Sequence, residues 1–388
     1  TLGSYLVARL FIFGLRTRGQ FLNDNERLRT RDLDRNQNET LKAYWLALIS
    51  AMDADSSNVV NSAIGAELFY LFGRENPDIA LLRWLRARKW NVSYAVQFMV
   101  DTLKWRHEWG FRSLMEKGEI DLIKEKCASG KIYSMGKDKA GRPITYVHAK
   151  EHIKGQYPLQ ATERLIIFFI ETARLLIEPP VEEGTIVIDM LNVGLQNLDY
   201  QYIKFMINIV QNYYPECLGI ALVVNAPWTF NTVWSVIKPW LDPVVASKIH
   251  FLRSSKELTE YINPIDLPKR LGGSQMDFEF HPPTEEDKAQ MKIFRTDKEG
   301  MEKVKFEHME AAQHYINMIL KWATRQTQNE DDERMNRVQT AKRLSAAFEQ
   351  FVPYVSTRTH FHRTGEIQEP IFDIAYNRIC AGDSETSY

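Results

Sequence analysis

Apolar and polar residues alternate with two different periods along this chain, and the period changes near residue 130. Before that point apolar residues recur every three to four positions, the spacing of one helix face. Helical patterns lie near Trp45 and Leu68, after a polar stretch from 23 to 39, rich in Arg, Asp and Asn, that reads as a linker. Asp78 is placed to cap a short helix, "IALLRWLRARKW". Ser93 is placed to cap a second, with Ala95, Phe98, Thr102, Trp105 and Trp109 on one face and Gly110 as its stop. Beyond 130, "GRPITYVHA" reads as a turn feeding a strand, with further strands in "GTIVIDM" (184–190), "LGIALVVNAP" (218–227) and "IHFL" (249–252). Helical patterns at 160–176 and 200–213 separate them, which predicts a largely parallel sheet covered by helices. After "LPKRLGGS" (267–274) comes an extended "FEFHPPT", then two long helical patterns. Met309, Ala312, Ile316, Ile319 and Ala323 mark the first and Val338, Ala341, Leu344, Phe348 and Phe351 the second, joined by an acidic connection at 326–333.

Two helical segments carry more than an ordinary stripe. In "ERLIIFFIETARLLIE" six successive apolar residues (165–170) wrap every side, whereas packing on one sheet needs a stripe only about 100° wide. Either two protein layers sandwich this helix, or one of its sides walls an apolar cavity. In "VWSVIKPWLDPVVASKIHFL" (233–252) the stripe of Phe230, Val233, Trp234, Ile237 and Leu241 is interrupted by Pro239 and again at Asp242-Pro243. Prolines remove backbone donors and fix local geometry. The result is a stiff plate bearing Phe230, Trp234 and Trp240, able to cover a hole or to pack as an ordinary amphipathic helix.

The 388 residues suffice for two or three domains, and 44% hydrophobic with 26% charged residues is ordinary for a folded chain. A net charge of -1 gives no global attraction to nucleic acid or an anionic membrane, so any basic site must be local. Cys127, Cys217 and Cys380 are far apart and odd in number, which points to a reducing, cytoplasmic compartment. No apolar run approaches the roughly 20 residues that span a bilayer. The opening "TLGSYLVARLFIFGLRTRGQF" faintly resembles a transit peptide, a packed edge helix being the alternative.

Chemistry-bearing residues are sparse. Arg88, Glu216 and Lys248 flank the apolar segments, and a charge beside an apolar pocket is costly unless paired. If they converge, they can hold an anion and its hydroxyls; separately they read as surface charges. No nucleophile elbow, Gly-rich phosphate loop or dinucleotide fingerprint follows a strand. His360 and His362 lack ligand-spaced partners, Cys217 enters an apolar strand that raises its thiol pKa, and Asp189 stands alone. The sequence therefore predicts no catalytic and no metal-binding residue.

Three ordered segments resemble one family. "LLRWLRARKWNVSYAV...LKWR" is similar to the helical entry of CRAL-TRIO lipid-binding domains, "NYYPECLGIALVVNAPWTFNTVWSVIKPWLDPVVASKIHF" to their strand, gate helix and following turn, and "INPIDLPKRLGGS" to their closing signature. The extra C-terminal helices and "ETARLLIEPP" resemble the fungal phosphatidylinositol-transfer branch. The resemblance implies an α/β fold with a mixed, mostly parallel sheet and a hydrophobic lipid pocket closed by a helical gate. It places a helical extension or linker at 1–74, an N-terminal helical domain at 75–127, the lipid-binding domain at 128–277 and a helical C-terminal extension at 278–388.

The same resemblance implies that Arg88, Glu216 and Lys248 hold a phosphoinositol headgroup. Phe230, Trp234, Ile237 and Trp240 would form the gate and touch the membrane, while Ile167, Phe168 and Val223 would line the pocket. Val245 stands where the family often has threonine, removing one headgroup hydrogen bond. Gly194, Gln196 and Thr145 replace residues that serve phosphocholine, so phosphatidylinositol plus a second apolar lipid, such as a sterol or squalene, is the expected cargo. The expected state is a cytoplasmic monomer in transient contact with membrane surfaces, with no cofactor beyond bound lipid and no nucleic acid. A lipid-sensing adaptor that engages a protein partner through 284–355, and an enzyme or haem binder using the same pocket, are the alternatives.

Overall fold

The computed structural model describes residues 33–52, 59–122, 124–177, 181–324 and 330–367. The opening segment, Cys380 and residues 326–329 of the acidic connection lie outside them. The helices before the sheet are α1 (Arg35–Met52), α2 (Ala63–Phe72), α3 (Pro77–Ala87), α4 (Val92–Trp109), α5 (Phe111–Lys117) and α6 (Lys124–Ala128). Helix α1 begins inside the expected linker because the carboxylate of Asp34 accepts the Gln37 N–H at 2.8 Å and starts the first turn. Asn76 caps α3, with Pro77 in the first turn, and Asn91 caps α4, so neither Asp78 nor Ser93 is a cap. Gly110 ends α4 at φ 83°, a left-handed conformation that glycine adopts without a Cβ penalty.

Asp78 is instead buried and shared. It accepts from Trp45 Nε1 (2.8 Å), Tyr315 hydroxyl (3.2 Å) and Arg337 Nε (3.0 Å), joining α1 and α3 to two C-terminal helices at Lys298–Thr324 and Glu330–Val355. Leu41, Tyr44, Trp45, Leu68, Leu81 and Met99 form one core with Ala312, Tyr315, Ile319 and Leu344. Residue 74 is therefore no packing boundary: helices before it and after 278 close the same core as the 75–127 unit.

The central unit runs β1 (Ile132–Lys137), β2 (Pro143–His148), α7 (Leu159–Arg174), β3 (Gly184–Asp189), α8 (Tyr200–Asn212), β4 (Leu218–Val224), α9 (Phe230–Ile237), α10 (Pro243–Ser247) and β5 (Ile249–Phe251). The chain continues through α11 (Glu285–Thr296), α12 (Lys298–Thr324), α13 (Glu330–Val355) and α14 (His360–Arg363). The sheet has the order β1-β2-β3-β4-β5, with β1 antiparallel to β2 and the other pairs parallel. Because this order never reverses, right-handed crossovers place α7, α8 and α9–α10 on one face. No switch point exists at which a crevice of the dinucleotide-binding kind would open.

The pleat then sorts the side chains. Ile144, Tyr146, Val187, Ile220, Leu222 and Val224 point to one face, where Leu258, Ile262, Leu267 and Leu271 of the 255–273 segment cover them completely. Thr145, Val147, Ile186 and Ile188 point to the helical face and are only half-buried, although they sit on central strands. A central strand with incompletely covered isoleucines means that the helices above do not fill the space over the sheet.

Candidate functional site

The unfilled space is a void of about 120 Å³. Thr145, Val147 and Ile186 form its floor, Ile166, Phe169 and Ile170 of α7 one wall, and Met206 and Val210 of α8 the other. Its lining is overwhelmingly apolar. The one floor hydroxyl, on Thr145, is engaged with Ser134 Oγ at 2.9 Å, so it offers little to a polar ligand.

The six apolar residues of α7 serve both alternatives at once. Ile166, Phe169 and Ile170 face the void, while Ile167 and Phe168 turn to the other side and pack with Phe111, Leu114 and Cys127. Ile167 and Phe168 therefore do not line the void. Val223 lies on its floor face, paired with Ile188, but beyond its edge. A continuous apolar run carries no phase, so the sequence could not say which residues face the cavity.

Helix α9 departs from the gate expectation in its seating. It gives way to a 3₁₀ turn at Lys238–Trp240, where Pro239 cannot donate, and Asp242 caps α10 with Pro243 in its first turn. The Trp234 ring packs against Phe251 of β5 at 4.9 Å, and Trp240 meets Tyr200 edge-on at 5.8 Å with Lys204 Nζ 4.7 Å from its ring. Ile237 is buried, Phe230 and both tryptophans are half-buried, and none of the four lines the void. Trp228, at the entry to the segment, is 85% exposed.

The structure brings Lys248 together with Glu183 and the Leu218 carbonyl where β3 and β4 begin. Arg88, at the C-terminus of α3, has its guanidinium 3.6 Å from the Phe98 ring centre; burial lowers its pKa, opposed by the charge of Asp242 just past the tryptophan segment. Lys248 ends α10, bonds the Leu218 carbonyl and lies 3.3 Å from the Glu183 carboxylate. Glu216, two residues before Leu218, adopts φ 57°, and Lys89 and Trp90, directly after Arg88, also have positive φ. Left-handed backbone at non-glycine residues costs of order 1–3 kcal/mol each and clusters at functional sites. Arg86 meets Glu182 at 2.6 Å, so the acidic pair Glu182–Glu183 ties α3 to α10.

Sequence reasoning named the three rim residues but missed Glu183 as the partner of Lys248. The acidic doublet just before a buried strand was its visible signal. Elsewhere, burial raises the thiol pKa of Cys217, as expected for an inert cysteine. His360 and His362 each accept a backbone N–H at Nδ1, and among the described residues no group of three or more potential ligands could hold a metal ion.

Comparison with known proteins fits this geometry. The family model described as CRAL/TRIO domain matches residues 128–273, and that described as CRAL/TRIO, N-terminal domain matches 46–101. The CRAL-TRIO domain-containing protein C3H8.02 of Schizosaccharomyces pombe is 43% identical over 209 residues, covering 51% of this chain and 46% of that protein. Phosphatidylinositol transfer protein CSR1 of Eremothecium gossypii is 30% identical over 317 residues, 79% of this chain and 72% of that protein. The Sec14 cytosolic factor of Schizosaccharomyces pombe is 34% identical over 217 residues, covering 51% and 74% respectively. This chain belongs to the CRAL-TRIO family. It spans about half the length of the first of these relatives.

Proposed function

We propose that this chain carries phosphatidylinositol between membranes, sheltering its acyl tails over the half-buried face of the sheet and holding its headgroup at the charged rim. The observation that carries this reading is the incompletely covered apolar floor of Thr145, Val147, Ile186 and Ile188 on central strands. A two-tailed lipid has about 30 methylene groups, and at roughly 0.8 kcal/mol each their exposure to water costs on the order of 25 kcal/mol. Exchange from bilayer to protein interior swaps one apolar environment for another, so shelter alone accelerates transfer and no bond need break.

The void of about 120 Å³ is smaller than the roughly 300–1,000 Å³ usual for ligand sites, so loading requires its walls to separate. Helix α9 lines none of this void, but it is the neighbouring element suited to swing. It is short, bounded by Pro227, Pro239 and Pro243, and presents Trp228 and Val236 to solvent. Tryptophan favours the membrane interface. Among the described residues no helix is long and apolar enough to cross a bilayer, so contact would be peripheral and transient. The name of the relative CSR1 supports the cargo, and the apolar floor suits a second, more apolar lipid in the same space.

Fluorescent phosphatidylinositol moving from donor to acceptor vesicles tests the proposal: catalysed transfer supports it, and none at any protein concentration refutes it. Replacing Trp234 and Trp240 together by alanine should slow transfer about tenfold or more, given roughly 1.5–3 kcal/mol for each buried large side chain, without changing the far-UV spectrum. Transfer at the parental rate would remove the gate role from α9.

A further inference from the structure

Beside the first void lies a larger one, of about 330 Å³, flanked on one side by α13 of the C-terminal extension. Its walls are mostly apolar, with Tyr70 and Phe72 from α2 and Phe348 and Val352 from α13. Arg174, Ile177 and Cys217 line both voids and so form the partition between them. Phe348 and Val352 lie outside the stretches matched by the two family models, so the extension supplies one wall of this chamber.

Its charges are unbalanced in one direction. Glu75 is paired with Arg83, and Glu171 receives Arg106 at 2.8 Å. In the network behind the partition three guanidinium groups, those of Arg106, Arg112 and Arg174, face two carboxylates, those of Glu67 and Glu171, leaving one positive charge in excess. Arg174 and Glu171 are its members at the chamber wall. Arg174 reaches Glu171 only at 3.5 Å and the Leu71 carbonyl at 3.2 Å, which leaves guanidinium donors to spare.

We propose that this chamber is a second ligand site for a single-chain anionic amphiphile of the fatty-carboxylate class, its head on Arg174 and its chain against Phe72, Phe348 and Val352. One negative charge neutralises the excess, and a charged partition opposes the passage of uncharged tail from the first void into the second. The site is separate from the phosphatidylinositol cavity, and its test does not depend on that cargo.

The test titrates the full chain calorimetrically with hexadecanoate and with hexadecanol, before and after loading from phosphatidylinositol vesicles. Hexadecanoate should bind at one site whether or not phospholipid is loaded, and about tenfold more tightly than the alcohol. Val352→Trp, which fills the chamber, should weaken hexadecanoate about tenfold or more while phosphatidylinositol uptake stays within about twofold. Leu175→Trp, at a position 39% exposed, keeps the test alive if the first variant fails to fold. Arg174→Gln should remove the preference for carboxylate over alcohol. Loss of hexadecanoate binding on phospholipid loading, equal affinity for acid and alcohol, or unchanged affinity in the filling variants would each overturn the proposal.

Discussion

Lys248→Ala is expected to lower phosphatidylinositol uptake by roughly 30-fold or more, because deleting one member of a buried charge pair costs about 2–5 kcal/mol. Lys248 bonds the Leu218 carbonyl and Glu183, and in the proposed function an arriving phosphate would draw it away from that carboxylate. Its loss also leaves Glu183 facing the headgroup, adding repulsion to the missing attraction. A neutral apolar ligand gains nothing from this charge, so squalene-like cargo should be retained. Lipid extracted from the purified variant decides the matter: inositol lipid at the parental level would exclude Lys248 from the site.

The second large effect falls on stability. Arg106 is almost fully buried and bonds both Glu67 (3.1 Å) and Glu171 (2.8 Å), clamping α2, α4 and α7 together. Arg106→Leu strands two carboxylates in an apolar setting and should cost about 3–5 kcal/mol, a fall in Tm of about 10 °C. Burial alone would raise the Glu171 carboxyl, but Arg106, Arg174 and the hydrogen bonds from Arg106 and Tyr214 override it and hold the pKa at about 2. A depressed carboxyl stabilises the fold above its unfolded value, near 4.5, and that contribution is lost as pH falls toward 2. In the variant only Arg174 and Tyr214 still oppose burial, and the carboxyl takes up its proton at higher pH. The stability gap between the two proteins should therefore narrow on acidification from pH 7 to 4, as followed by thermal unfolding. A gap that is constant across that range would contradict the pairing.

Strand and helix positions were legible because burial on both faces writes uninterrupted apolar runs: 218–227 became β4, and 160–176 became α7 within two residues at each end. The two prolines of the tryptophan segment likewise announced its break into α9, a 3₁₀ turn and α10. What the sequence concealed was partnership across long separations. Asp78 has the chemistry of a cap, yet its carboxylate is claimed by Trp45, Tyr315 and Arg337, the last 259 residues away. Periodicity reports that α12 has an apolar stripe and is silent on the α1 surface that receives it. Pattern singled out Arg88, Glu216 and Lys248 but left them open as surface charges, and only the resemblance implied a headgroup role, since a surface arginine and a headgroup arginine look alike in one sequence. Glu183 escaped because nothing local says which cation it will meet.

Carriage of phosphatidylinositol requires an interior that opens to take one phospholipid per chain. Native mass spectrometry of the full chain, after incubation with vesicles containing phosphatidylinositol and removal of the vesicles, tests this most directly. The expected spectrum shows the chain carrying one added mass equal to phosphatidylinositol, absent from the Lys248→Ala variant. A spectrum of the bare chain alone, or the same adduct at the same intensity in that variant, would contradict it.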